Sequence, residues 1–238
     1  MKILISGASA PFAFAIADAL RKKHELRLTD SIPVETDYEF IVSELHHDEA
    51  TDQLVKDMDA LICLPYSQCV KGSETDWVDI STRRQYNLLS AAVNTNVRQV
   101  IILSTLDLMT SYDPDMTVTE DWKPLPGVDP ETLGAHLTEF VSKEFAHSNV
   151  LNVTILRLGH LIKERDIGDK KYDPMWLAES DSTQAISLLI DQGVATKTPE
   201  VPYRILHLQS VSELSRFSCQ RICDLLTFVP TETFEKYQ

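Results

Sequence analysis

Short apolar runs alternate along this chain with longer stretches in which apolar residues recur every three or four positions. The runs read as strands at 2–6, 25–30, 38–42, 59–64, 98–104, 151–157 and 203–208. The periodic stretches read as helices near 10–22, 48–57, 75–94, 130–147, 180–192 and 213–226. Regular strand–helix alternation implies a doubly wound α/β fold, with a parallel sheet and right-handed crossovers. Two long irregular stretches interrupt it. Residues 106–129 are rich in Asp, Glu and Pro, and residues 159–175 carry mixed charges. Both follow strands at their C-terminal ends, where open α/β sheets bind ligands. Loops of this length are either functional or disordered, and their placement favours functional.

At 238 residues the chain suits one domain, 1–238. A small C-terminal lobe is expected from about 159–180 and 209–238. Hydrophobic residues make up 43% and the net charge is −14. The acidity argues against nucleic acid or an anionic membrane as partner, since both require basic patches. No signal-peptide pattern and no membrane-spanning apolar run is present, so a cytoplasmic location is the expectation. Cys63, Cys69, Cys219 and Cys223 lack the companions of a zinc site and are expected as reduced thiols.

The first strand, Lys2-Ile3-Leu4-Ile5-Ser6, runs into Gly7-Ala8-Ser9-Ala10-Pro11-Phe12-Ala13 and then a helix. Strand, glycine turn and helix N-terminus together form a phosphate-binding arrangement. Gly7 permits the tight turn. Ala10 and Ala13 stand where a dinucleotide fingerprint carries its second and third glycines, and a methyl at Ala10 would crowd a pyrophosphate. Pro11 suits a first helical turn. Asp30 closes the second strand about 20 residues later, where an acid receives ribose hydroxyls and repels a 2′-phosphate, favouring NAD over NADP. Capping or starting a loop is its plainer alternative.

The chain resembles the extended short-chain dehydrogenase/reductases, the NAD-dependent epimerase/dehydratases, and among them the uronate dehydrogenase-like branch. The resemblance runs over nearly the whole length. It rests on Leu26 to Ser31, Glu44-Leu45, Asp59 to Leu64, Tyr86 to Ala92, Val100 to Thr105, Ile155 to Gly159, Trp176-Leu177 with Asp181, and residues 217–237. It implies a Rossmann-type fold, NAD held by Gly7, Ser9, Ala10, Pro11, Phe12, Asp30, Glu44, Leu45, Leu64, Pro65 and Thr105, and a homodimer through helices 75–94 and 130–147.

That family works with Ser/Thr, Tyr and Lys, the last two one helical turn apart. Thr105 takes the hydroxyl position. The Tyr and Lys positions fall on Leu133 and Leu137, and none of the seven tyrosines has a lysine four residues on. Candidate substitutes or substrate contacts are Asp107, Tyr112, Arg157 and His160. A solvated acid, a loop aromatic, a structural ion pair and a loop histidine are their respective plainer readings. His136 reads as a surface or interface residue. Three functions follow: an NAD-binding protein with divergent or lost catalysis that takes a sugar acid or similar metabolite, an active sugar oxidoreductase or epimerase with an unusual acid/base, or an interaction module with a vacant nucleotide site.

Overall fold

The structure, a computed structural model, describes residues 1–64, 74–97, 99–148, 151–195 and 202–238. Pro65, Tyr66 and Cys69 lie outside these residues. Seven parallel strands form the main sheet: β1 Lys2–Ser6, β2 Glu25–Asp30, β3 Glu39–Val42, β4 Ala60–Cys63, β5 Gln99–Thr105, β6 Asn152–Leu158 and, last in the chain, β9 Tyr203–Leu208. Their order is β3-β2-β1-β4-β5-β6-β9. The chain reverses its direction of travel between β1 and β4. That reversal opens a crevice beyond the C-terminal strand ends.

Alternation along the strands sorts the core onto two faces. Ile3, Ile5 and Ile62 pack on one face with Ile16 and Leu20 of α1 (Pro11–Leu20) and Ile186 and Ile190 of α6 (Glu179–Ala195). Leu4, Leu61 and Cys63 face the other way, against Leu54 of α2 (Glu49–Val55) and Leu88 and Leu89 of α4 (Gln85–Asn94). Each fully buried aliphatic side chain contributes about 1.5–3 kcal/mol relative to exposure. Asp48 starts α2 by accepting from the Thr51 amide, and Asp129 starts α5 (Pro130–His147) by accepting from the Thr132 amide.

The sequence expects one helix over 75–94. The structure instead has α3 (Glu74–Asp79), a π-helical stretch at Ile80–Arg84, and then α4. Such insertions re-aim side chains and recur at functional sites. Only Gln220–Leu226 (α7) of the expected 213–226 helix is helical. Upstream of α7 the backbone bonds sideways: Val118 donates to Arg216 O and Ser218 donates to Val118 O. A segment paired to a distant strand-like partner cannot also close helical turns.

The 159–175 stretch is more ordered than its composition suggests. His160–Ile162 (β7) pairs in parallel with Trp176–Ala178 (β8). Trp176, Ile162, Ile167 and Phe234 form a separate small cluster over this pair. Ile222 and Phe228 belong to the main core. The tail is tied down by Asp181, which accepts from the amides of Thr231 and Glu232 and from the Thr231 hydroxyl. Among the described residues no helix is long and apolar enough to cross a membrane.

Candidate functional site

The crevice holds two adjoining sites. The first lies over β1 and β2 and is lined by Gly7, Asp30, Ser31, Leu45, Leu64 and Arg84, among others. Gly7 has φ +76°, and a Cβ there would stand 2.3 Å from the Leu64 carbonyl oxygen. Only glycine fits that approach. Leu45 sits at φ 50° with its carbonyl held by the Asn87 side chain. Arg84, delivered by the π-helical stretch, pairs with Glu44 at 2.7 Å and Asp79 at 2.9 Å.

Asp30 is anchored at both oxygens. Oδ2 accepts from the Ser9 amide at 2.9 Å and Oδ1 from the Ser31 amide at 2.6 Å. Oδ1 also receives longer bonds from the Ser31 hydroxyl at 3.3 Å and the Ile32 amide at 3.4 Å, so a ribose hydroxyl would displace one of these. The strand-end acid beside the Gly7 turn is the placement that would hold the adenosine ribose of NAD.

The diphosphate end fits less well. The Ala8 amide goes to Thr29 O, the Ser9 amide to Asp30, the Ala10 amide to Gly7 O and the Ala13 amide to Ala10 O. Pro11 has no N–H. Phe12 is among the amides of this turn that those bonds leave for an anion. Pro11 thus suits the helix start but withdraws a donor from the helix N-terminus.

The second site is a cavity of about 470 Å³ beyond β5 and β6, within the range of small-ligand pockets. Pro11, Phe12, Thr105, Asp107, Glu131 and His160 are among its lining residues. Thr105 ends β5; its hydroxyl donates to Asp107 Oδ2 at 2.8 Å and accepts from the Asp107 amide. His160, first residue of β7, bridges two acids. Nε2 lies 3.0 Å from Asp107 Oδ1 and Nδ1 lies 2.5 Å from Asp173 Oδ2. The Asp107 hydrogen bond, opposed by burial and joined by Asp173, pushes the imidazole pKa up to about 9. It is an imidazolium at neutral pH, with both protons committed. Burial works to raise the Asp107 carboxyl, but hydrogen bonds from His160 and Thr105 outweigh it and hold it below the usual carboxylate range.

Two expected contacts do not reach this cavity. Arg157 is fully buried beneath it, bonded to Glu139. Its strand position points it under the sheet end, so a substrate carboxylate cannot reach the guanidinium. The Tyr112 hydroxyl donates to Lys123 O and its ring packs edge-on against Trp122, 4.7 Å between centroids. Tyr112 braces its own loop.

The helix face directed at the site also differs from expectation. Leu133 and Leu137 are half-buried and do not line the cavity. Glu131 lines it; Ala135, four residues on, packs with Leu106 and Leu108; Glu139, four further, bonds Ser104 and Arg157. The stripe 131–135–139 is therefore the one turned toward the end of β5. Gly134 lies a step round from it, where a Cβ would come 2.6 Å from Ser81 Oγ. The Asp129–Pro130 start sets this phase and was the available signal for Glu131. Lys163, Lys170 and Glu179 also line the cavity, and nothing in their local sequence marks them. His136 is half-buried, with Nδ1 lacking a partner, and is not a cavity residue.

No protein-family model and no curated protein matches the sequence. Solved structures do match its fold. A mutated uronate dehydrogenase superposes with TM-score 0.81 at 21% identity, over 99% of this chain and 83% of that one. Glucuronic acid dehydrogenase from Chromohalobacter salexigens gives 0.79 at 20% identity, over 99% and 86%. UDP-N-acetylglucosamine 4-epimerase from Bacillus cereus gives 0.78 at 16% identity, over 100% and 96%. The chain has the Rossmann-type fold of the NAD-dependent dehydrogenases and epimerases.

Proposed function

We propose that this chain binds NAD and a small polar metabolite in a dehydrogenase/epimerase-like fold whose usual Tyr/Lys chemistry has diverged or been lost. The observation that carries the reading is Asp30, an acid set at the end of β2 beside the Gly7 turn, where a ribose would lie. When bound, NAD would supply hydride exchange. Gly7, Asp30, Leu45 and Phe12 would hold it, and Thr105 would face its reactive end. Neither Glu131 nor Ala135, on the stripe facing β5, can act as the Tyr/Lys pair does. Titration calorimetry with NAD and NADP, on wild type and Asp30→Ala, tests this. NAD binding lost in the variant supports it; no binding of either nucleotide ends it.

A second reading, an interaction module with a vacant nucleotide site, is favoured by the donors that the turn spends on itself at Ala8, Ser9, Ala10 and Ala13 and lacks at Pro11. The same titration decides between the two. A homodimer is proposed with either. Val78, Tyr86 and Phe140 are exposed at 41%, 50% and 58% on helices α3, α4 and α5. Tyr86 and Phe145 join rings across α4 and α5 at 5.3 Å. Sedimentation of Phe140→Glu against wild type would show the dimer lost.

A further inference from the structure

The lining of the second cavity also bears on what kind of molecule enters it. Apart from the exposed Lys170, the strong donors around this cavity that could clamp a ligand carboxylate are already engaged. The His160 protons go to Asp107 and Asp173. Arg157 is sealed against Glu139. Lys163 pairs with Glu179 at 3.2 Å. Lys170 is the cation of the lining without an ion pair among the described residues, and it is exposed. The lining acids are Asp107, Glu131, Asp166 and Glu179, against the cations His160, Lys163 and Lys170. Four negative charges against three positive leave the lining net acidic, with Asp173 adding a further negative charge behind His160.

Acceptors, by contrast, are available and fixed. Asp107 takes one bond from His160 and one from Thr105, leaving about two acceptor positions. Its side chain is 36% exposed to the cavity side. Held between a hydroxyl and an imidazolium, it has its orientation set before any ligand arrives. A pre-set ionised acceptor suits a hydroxyl donor and repels an anion.

We propose that this cavity takes a neutral polyhydroxylated ligand, such as an uncharged sugar or polyol, with a ligand hydroxyl donating to Asp107 and His160 serving as the residue that positions Asp107. The proposal names the ligand class for the site of the preceding subsection and rests on that reading for the site's use. It departs from the sugar-acid expectation, because His160 and Lys163 are already paired with acids, Lys170 stands exposed at the lining, and the lining is net acidic.

The test is a binding titration of the full chain with D-glucose, xylitol and D-glucuronate, each with and without NAD, at pH 7. Glucose or xylitol binding at least threefold tighter than glucuronate supports the proposal. Glucuronate binding as tightly or tighter overturns it, as does the absence of binding by both neutral probes. Because the titrations are also run without NAD, a chain that fails to bind NAD yet binds neutral probes loses the NAD reading and keeps this one. Asp107→Asn should weaken the neutral probes about tenfold. His160→Gln should weaken them less, because its amide can still donate to Asp107. Proton NMR of the His160 ring separates positioning from mere structure: its titration midpoint should fall in Asp107→Asn, and an unchanged midpoint would remove the coupling. Glu131→Lys, at an exposed site that leaves the fold intact, should shift preference toward glucuronate at least threefold; no shift would overturn the electrostatic argument.

Discussion

Arg157 and Glu139 meet through two parallel hydrogen bonds, Nε to Oε1 at 2.8 Å and Nη2 to Oε2 at 2.7 Å, with the guanidinium fully buried. Glu139 also receives the Ser104 hydroxyl at 2.6 Å. The pair locks the stripe of α5 to the ends of β5 and β6, and so sets the back wall of the cavity. Removing one partner strands a buried charge. Arg157→Met or Glu139→Gln should each cost about 3–5 kcal/mol, whereas replacing both by apolar residues should cost far less. Urea denaturation measures this; a single-variant loss under 1 kcal/mol would contradict it.

His207 is buried beside that pair, and burial, with Arg157 and Arg221 nearby, pushes its pKa down to about 3. An unfolded histidine titrates near 6.5. Between those values the unfolded chain binds the extra proton, so stability falls as pH drops below about 6.5. The slope reaches up to about 1.4 kcal/mol per pH unit and ends near pH 3. His207→Gln should flatten the acid limb of a stability–pH curve, and an unaltered limb would count against it.

His160 produces the opposite dependence. Its folded pKa of about 9 lies above the unfolded value, so its contribution is complete below about pH 6.5 and is lost as pH rises through 9. The ring is 44% exposed, so solvent screening limits the effect to about 1 kcal/mol. The measurement is the difference in urea midpoint between pH 6 and pH 10, which should shrink in His160→Gln.

Pro11 removes a donor from the phosphate end of the nucleotide site. Pro11→Ala should tighten NAD binding about tenfold, the worth of one hydrogen bond to a charged group. Helix α1 should tolerate the change, because that amide has no helical partner in any case. Equal affinities by calorimetry would mean the diphosphate is held elsewhere.

Asp181 is buried and receives the tail at Thr231 and Glu232. Asp181→Ala leaves those amides unmet and should cost about 1–3 kcal/mol. Limited proteolysis should then cut near residues 229–238 while the sheet persists.

Much of the framework was legible in the sequence because period-2 and period-3.6 patterns report burial directly. All seven main strands fall within a residue or two of expectation, and α5 begins and ends where its periodicity does. Three things were not legible. The π-helical stretch at Ile80–Arg84 adds a residue to a turn without disturbing the apolar pattern. The facing of α5 is the second: Leu133 and Leu137, named for the Tyr and Lys positions, do not line the cavity while Glu131 does, and an i,i+4 spacing alone does not tell which stripe meets β5. Arg157 and His160, two strand-end residues of similar appearance, separated only in three dimensions: one is closed off by Glu139, the other opens between Asp107 and Asp173.

The bond from Val118 to Arg216 has a consequence for biosynthesis. Arg216 also caps the carbonyls of Tyr112 and Asp113, and 104 residues separate it from Tyr112. At a synthesis rate of about 5–20 residues per second, the 106–129 segment waits roughly 5–20 s for its anchor to be made. During that interval Leu106, Leu108, Met109 and Val118 lack the cover of Phe217. The apolar packing behind Thr105 and Asp107 is thus among the last parts of the nascent chain to settle.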